Sequence, residues 1–174
     1  MGRSVISLDD LTRNNLGTFK KINEVSLPTR YDDGWYEKSF EKNHITKLAF
    51  YAELPVGAVR AKAFNSNQIG ASYESNQNSK SVQEGVPNSV YVESLAVLKA
   101  YRGVGIGTAL LNFVIEDTKK RFIHEIVLHV HVDNTEVIEW YKRKGFEQKS
   151  EIVKNYYEKQ NIANPHAIIL SLRV

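Results

Sequence analysis

The chain has 174 residues, 42% hydrophobic and 25% charged, a balance that predicts one soluble globular domain with a sizeable core. The absence of cysteine excludes disulfides, Cys-ligated metals and a Cys nucleophile. The net charge is only +3 with Lys and Arg scattered, no apolar run is long enough to span a bilayer, and Met1-Gly2-Arg3-Ser4 lacks a signal-peptide layout, so a cytosolic protein with no direct nucleic-acid or membrane contact is expected.

Along the chain, Val5, Ile6 and Leu8 read as a first strand. Leu11, Leu16, Phe19, Ile22 and Val25 recur at helical spacing until Leu27-Pro28-Thr29 breaks the pattern, and a second short helix is expected around Trp35, Tyr36 and Phe40. Lys47–Leu54 and Val56–Phe64 read as strands joined by a tight connection at Pro55. Asn65–Ser89 is rich in Ser, Asn, Gln and Gly and reads as a long hairpin loop rather than a domain boundary. Val90–Leu98 has apolar residues on both faces, as a central strand would; a glycine turn and a helix over Ile106–Lys120 follow. Ile126–Val132 is another buried strand, Asn134 and Gly145 bracket the next helix as N-cap and C′ residue, and Phe146–Val153 and Ala167–Val174 are the last strands. The order β-α-α-β-β-β-α-β-α-β-β predicts a mixed α/β (α+β) domain over residues 1–174 with a largely antiparallel sheet.

Arg102-Gly103-Val104-Gly105-Ile106-Gly107-Thr108 follows a buried strand and opens a helix. Glycines let backbone N–H groups converge, and the helix start adds unpaired donors and a positive dipole end, which together suit a phosphate. A P-loop is excluded because Gly107 is followed by Thr108 and Ala109 rather than by Lys, and the dinucleotide pattern is excluded because its third glycine is missing. On the residues alone, a tight strand-to-helix turn with no ligand remains the other reading. The spacing Asn134-x-x-x-Ile138-x-x-Tyr141-x-x-x-Gly145-Phe146 follows on the expected elements, although Tyr141 by itself reads better as a half-buried helix aromatic.

These two motifs resemble the GNAT superfamily of acetyl-coenzyme A-dependent N-acetyltransferases. Within it the chain is most similar to the NatE-type protein N-α-acetyltransferase catalytic subunit, through Leu27-Pro28-x-x-Tyr31, Ala52 to Ala58, Tyr101 to Asn112, Leu128-His129-Val130, Gly145-Phe146-Glu147 and Lys154-Asn155-Tyr156-Tyr157, with Tyr91 and the last run particular to that branch. The resemblance implies a seven-stranded, mostly antiparallel mixed sheet with about four helices, acetyl-coenzyme A as cosubstrate, no metal, and acetylation of protein N-termini, preferably an initiator Met followed by an apolar residue. It further implies Tyr91 and His129 as a water-mediated proton-handling pair. Leu95, Ala96, Val97, Arg102, Gly103, Val104, Gly105, Ile106, Gly107 and Thr108, completed by Asn134 and Tyr141, would form the coenzyme A site. Leu27, Pro28 and Tyr31 would face Tyr156 and Tyr157 across a peptide groove lined by Glu93. A large helical NatA-type auxiliary subunit and its catalytic partner near the ribosome are the implied partners.

The chain departs from that branch at Leu27, where Phe is common, at Glu93, where some members have Met, at Gln160, where an apolar residue is expected with Ile162 nearby, and in the length of the 65–89 loop. Glu93 could contact the substrate amine or act as a second base. Strand alternation puts Val127, His129 and His131 on one face and Tyr91, Glu93 and Leu95 on one face of the neighbouring strand, so Tyr91, Glu93 and His129 could surround one water if the strands splay. Imidazole titrates near neutrality, which suits His129 as base; an oxyanion would need a backbone donor near Leu95 to Val97, and Tyr141 could protonate or orient the departing thiolate. The plainer readings are a satisfied sheet histidine at 129, an exposed edge at Tyr91 and Glu93, hairpin packing for Tyr156 and Tyr157, and His131 as the base instead. The five histidines show no ligand spacing with carboxylates for a metal. Competing functions are acetylation of Lys side chains or small amines, and a non-catalytic coenzyme A-binding subunit of an N-terminal acetylation complex.

Overall fold

The computed structural model describes residues 5–65, 86–149 and 166–174. Most of the polar loop, Tyr156, Tyr157, Gln160 and Ile162 lie outside the described residues. Within them the elements are β1 (Ile6–Asp9), α1 (Leu16–Ser26), α2 (Asp33–Glu37) continued by a 3₁₀ turn (Lys38–Phe40), β2 (His44–Tyr51), β3 (Leu54–Phe64), β4 (Ser89–Val97), α3 (Ile106–Lys120), β5 (Glu125–His131), α4 (Thr135–Arg143), β6 (Glu147–Gln148) and β7 (Ala167–Arg173). The seven strands form one sheet in the order β1-β2-β3-β4-β5-β7-β6, antiparallel throughout except for the parallel β4–β5 pair.

Each face of the sheet buries its own apolar set. Val59, Ala61, Val90, Val92, Ile126 and Leu128 lie against Leu110, Leu111 and Val114 of α3. Ala58, Ala96 and Leu48 lie on the other face against Phe19 and Ile22 of α1 and Trp35 and Tyr36 of α2. Full burial of each such side chain stabilises by roughly 1.5–3 kcal/mol, so the two helical layers hold the sheet from both sides. Val25 departs from the expected helix face: it is 64% exposed, because α1 begins only at Leu16 and its buried stripe runs through Phe19 and Ile22. The β2–β3 turn falls at Ala52-Glu53, with Ala52 at φ +55°, and Pro55 lies inside β3 opposite Phe50, not in the turn.

Two strand irregularities shape the centre. The β3–β4 register passes from Arg60↔Ser94 to Ala61↔Val92, so Glu93 is an extra residue, a β-bulge. The β4–β5 ladder pairs only Val90↔Ile126 and Tyr91↔Val127. Among the described residues the edge of β4 that faces β5 has no strand partner beyond Tyr91, so a cleft opens between the two parallel strands, as crevices do beyond strand carboxyl ends. Among the described residues no helix is long and apolar enough to cross a membrane.

Candidate active site

The floor of the cleft is the turn between β4 and α3. Gly103 and Gly105 have φ of +81° and +96°, a backbone that a residue with Cβ adopts only with strain. Gly105 is the N-cap of α3 and supplies no side-chain cap, while its carbonyl accepts from Ala109 N at 3.0 Å. The N–H groups of Ile106, Gly107 and Thr108 are therefore first-turn donors without intrahelical acceptors. A Cβ at Gly103 would meet nothing within 4 Å, so the turn opens outward, whereas one at Gly107 would come within 3.3 Å of Trp140 of α4. The Arg102 Nε donates to the Val97 carbonyl at 3.0 Å, tying the turn to the end of β4 and leaving the rest of its guanidinium at the exposed rim. A concave loop of glycine amides, a helix N-terminus and a basic side chain fit a diphosphate. Leu95 and Val97 are half-buried along the same strand, and Ala96 faces away toward α1 and α2.

Asn134 and Tyr141 belong to α4, the helix whose Trp140 lies against Gly107. Asn134 holds the N-cap position but its side chain caps nothing, contrary to the expected cap, and it is exposed. Its backbone φ of −85° with ψ of 65° differs from the extended geometry that lets an N-cap side chain reach back to the first turn. Gly145 does close α4: at φ +101° it lets Gly145 N reach Lys142 O at 3.0 Å and Phe146 N reach Tyr141 O at 3.1 Å, a Schellman arrangement. Tyr141 packs on Phe146 and Trp140, and burial pushes its phenol well above the ordinary value, so it keeps its proton.

Where β4 and β5 part, Tyr91 and His129 meet. The Tyr91 hydroxyl lies 2.9 Å from His129 Nδ1. Burial pushes His129 down to about 4. The imidazole is thus neutral at physiological pH, and the expectation that it titrates near neutrality does not hold, because little water reaches the ring to solvate its charge. His131, the rival base, is engaged locally: its Nδ1 accepts from Asp133 N at 3.1 Å beyond the end of β5.

The Glu93 carboxylate is directed to partners other than this pair. The bulge turns it toward α2, where Oε2 accepts from Trp35 Nε1 at 2.9 Å and sits 3.2 Å from Arg60 Nη2, and Oε1 lies 3.4 Å from His44 Nε2. Burial alone would raise the Glu93 carboxyl, but the adjacent His44 and the charge of Arg60 outweigh it and hold it below the usual carboxylate value. What Glu93 offers the cleft wall is its backbone carbonyl, which accepts from the Tyr31 hydroxyl at 3.1 Å. Leu27 ends α1 in extended conformation, Pro28 is exposed beside it, and Tyr31 stacks on Trp35, so the Leu27–Tyr31 segment forms one wall near β4. Trp35, His44 and Arg60 are absent from the residues singled out in the sequence. The available signal is Arg60, a charged residue in the middle of the apolar run Val56–Phe64, one strand away from Glu93.

A family model described as "Acetyltransferase (GNAT) family" matches residues 11–146. The chain belongs to the GNAT acetyltransferase family. This GNAT chain is 34% identical over 169 residues to N-alpha-acetyltransferase 50 of Danio rerio, covering 97% of this chain and 89% of that protein. It is 32% identical over 174 residues to a probable N-acetyltransferase, san, of Drosophila melanogaster, covering 99% and 84%. Its fold superposes on Arabidopsis thaliana Naa50, solved in complex with the bisubstrate analogue CoA-Ac-MVNAL, with a TM-score of 0.79 at 33% identity over 97% of this chain and 99% of that one. The seven-stranded sheet with four helices is the GNAT fold, and the chain is by family an acetyltransferase.

Proposed function

We propose that this chain transfers the acetyl group of acetyl-coenzyme A to the free α-amino group of protein N-termini, with an initiator Met followed by an apolar residue as the preferred start. The observation that carries the reading is the Tyr91–His129 contact at 2.9 Å, placed where β4 and β5 separate, on the strand that leads to the glycine turn. The likeness over nearly the whole chain to N-terminal acetyltransferases supports the choice of amine.

When bound, acetyl-coenzyme A supplies an activated thioester carbonyl. The amides of Ile106, Gly107 and Thr108 and the Arg102 guanidinium would hold its diphosphate, and the unpaired edge of β4 between Leu95 and Val97 offers backbone donors to a developing oxyanion. The segment Leu27-Pro28-x-x-Tyr31 positions the amine from the opposite side. An α-amino group titrates near ~8, so a substantial fraction is neutral before it reacts. Once its nitrogen has bonded to carbon it carries a positive charge and two protons, and one of these is acidic enough for a weak neutral base to take, leaving the amide N–H. The neutral His129, hydrogen-bonded to Tyr91, is such a base, directly or through a water. Tyr141, held protonated by burial, is suited to donate to or orient the leaving sulfur. Tyr156 and Tyr157 complete the proposal as the second groove wall, and a cytosolic protein docked on a large helical auxiliary subunit extends it.

The test presents acetyl-coenzyme A with peptides that have a free Met-Leu start and no Lys, and with N-blocked peptides that contain Lys. Mass spectrometry should place the acetyl group on the α-amine of the first set. Modification confined to Lys would replace this reading with the side-chain one.

A further inference from the structure

A buried network lies behind the Leu27–Tyr31 wall. Trp35 is sandwiched: Tyr31 stacks on one face with centroids 3.8 Å apart at 13°, and the Arg60 guanidinium lies 3.8 Å from the ring centroid on the Trp35 side facing β3. Arg60 is 2% exposed and donates to the Trp35 carbonyl and to Ser39 Oγ at 3.0 Å, and its Nη2 lies 3.0 Å from His44 Nε2. Glu93 Oε2 receives both Trp35 Nε1 and Arg60 Nη2, and the Glu93 carbonyl receives the Tyr31 hydroxyl. The result is a closed loop: Glu93 grips Trp35 with its side chain and Tyr31 with its backbone, while Arg60 neutralises the carboxylate and presses Trp35 onto Tyr31.

A largely buried Arg–carboxylate pair is no economical way to fill a core, since apolar side chains of similar volume do as well or better. What the polar network adds is direction, because hydrogen bonds fix the angle of the indole and, through the stack, of Tyr31. Glu93 is also the bulge residue, two positions after Tyr91, so the same network joins the groove wall to the strand that carries half of the proton-handling pair. We propose that Glu93, Trp35 and Arg60 are positioning residues that set the amine side of the active site by orienting Tyr31. The proposal rests on the N-terminal acetylation reading and adds to it the device that fixes the peptide wall.

Two conservative variants test it in the full chain. Glu93→Gln keeps the shape and one acceptor but removes the charge. Trp35→Phe keeps an aromatic ring between Tyr31 and Arg60 but removes the Nε1 donor. Loss of a hydrogen bond to a charged group predicts a rise of about tenfold in KM for a Met-Leu peptide, with kcat within about twofold of wild type. The acetyl-coenzyme A dissociation constant, measured by calorimetry, should not change. In a Trp140→Phe background, the remaining indole N–H resonance should move upfield in Glu93→Gln as its acceptor loses charge. Wild-type peptide KM in both variants, or a matching loss of acetyl-coenzyme A affinity, would overturn the positioning role. A wild-type protein that binds acetyl-coenzyme A but acetylates no free N-terminus would overturn the functional reading instead.

Discussion

The two sides of the cleft are built by different means. The cofactor side is a local object: seven consecutive residues, Arg102 to Thr108, supply two left-handed glycines, a helix N-terminus and a cation. The side proposed to hold the amine is assembled from distant segments, with Tyr31 and Trp35 from the start of the chain, Arg60 from β3, Glu93 and Tyr91 from β4 and His129 from β5. A local site tolerates change elsewhere in the fold and fails when its own backbone is altered. An assembled site fails when any packed or charged partner is removed, even one that never meets the substrate.

That contrast is most exposed at Arg60. Arg60→Met should destabilise the fold by about 3–5 kcal/mol, because it leaves the Glu93 carboxylate buried without its cation. Arg60→Met combined with Glu93→Met should recover most of that loss, as read from urea midpoints, while the peptide KM stays raised. Next in size is the pair proposed to handle the proton. His129→Ala or Tyr91→Phe should lower kcat by about a hundredfold or more and leave acetyl-coenzyme A binding intact. On the local side, Gly105→Val places a branched side chain at φ +96°, at a cost of about 1–2 kcal/mol, so affinity for acetyl-coenzyme A should fall about tenfold while the fold persists. A variant that weakened peptide and cofactor binding equally would erase the distinction between the two sides.

The smallest effect concerns pH. His129 titrates at about 4 in the folded chain against about 6.5 when unfolded, so the unfolded chain binds a proton that the native state refuses between those values. Its contribution to stability is complete above about pH 6.5 and is lost as pH falls toward about 4. At pH ~5.5 this amounts to about 1 kcal/mol, and His129→Gln should remove that part of the acid sensitivity in urea titrations.

Much of this protein was legible along the chain. The element order and the bounds of α3 follow from periodicity, and Gly145 ends α4 as its place after the last helical turn predicts. The glycine turn is readable because consecutive residues dictate backbone geometry there. The pairing of Tyr91 with His129 is readable in part, since alternation puts both on the same face of neighbouring strands.

Other features depended on long-range packing. A bulge is an offset between two strands, and neither strand's sequence announces it; here it redirects Glu93 from the cleft to Arg60 and Trp35. The depressed titration of His129 likewise comes from what the folded chain stacks around the ring, a matter of excluded water rather than of neighbours in sequence. Residue identity therefore determined which groups could hold a diphosphate and move a proton. Only the tertiary structure decided which carboxylate would be spent on an internal cation, because desolvation and ion pairing act through space across the 32 residues of chain between Arg60 and Glu93.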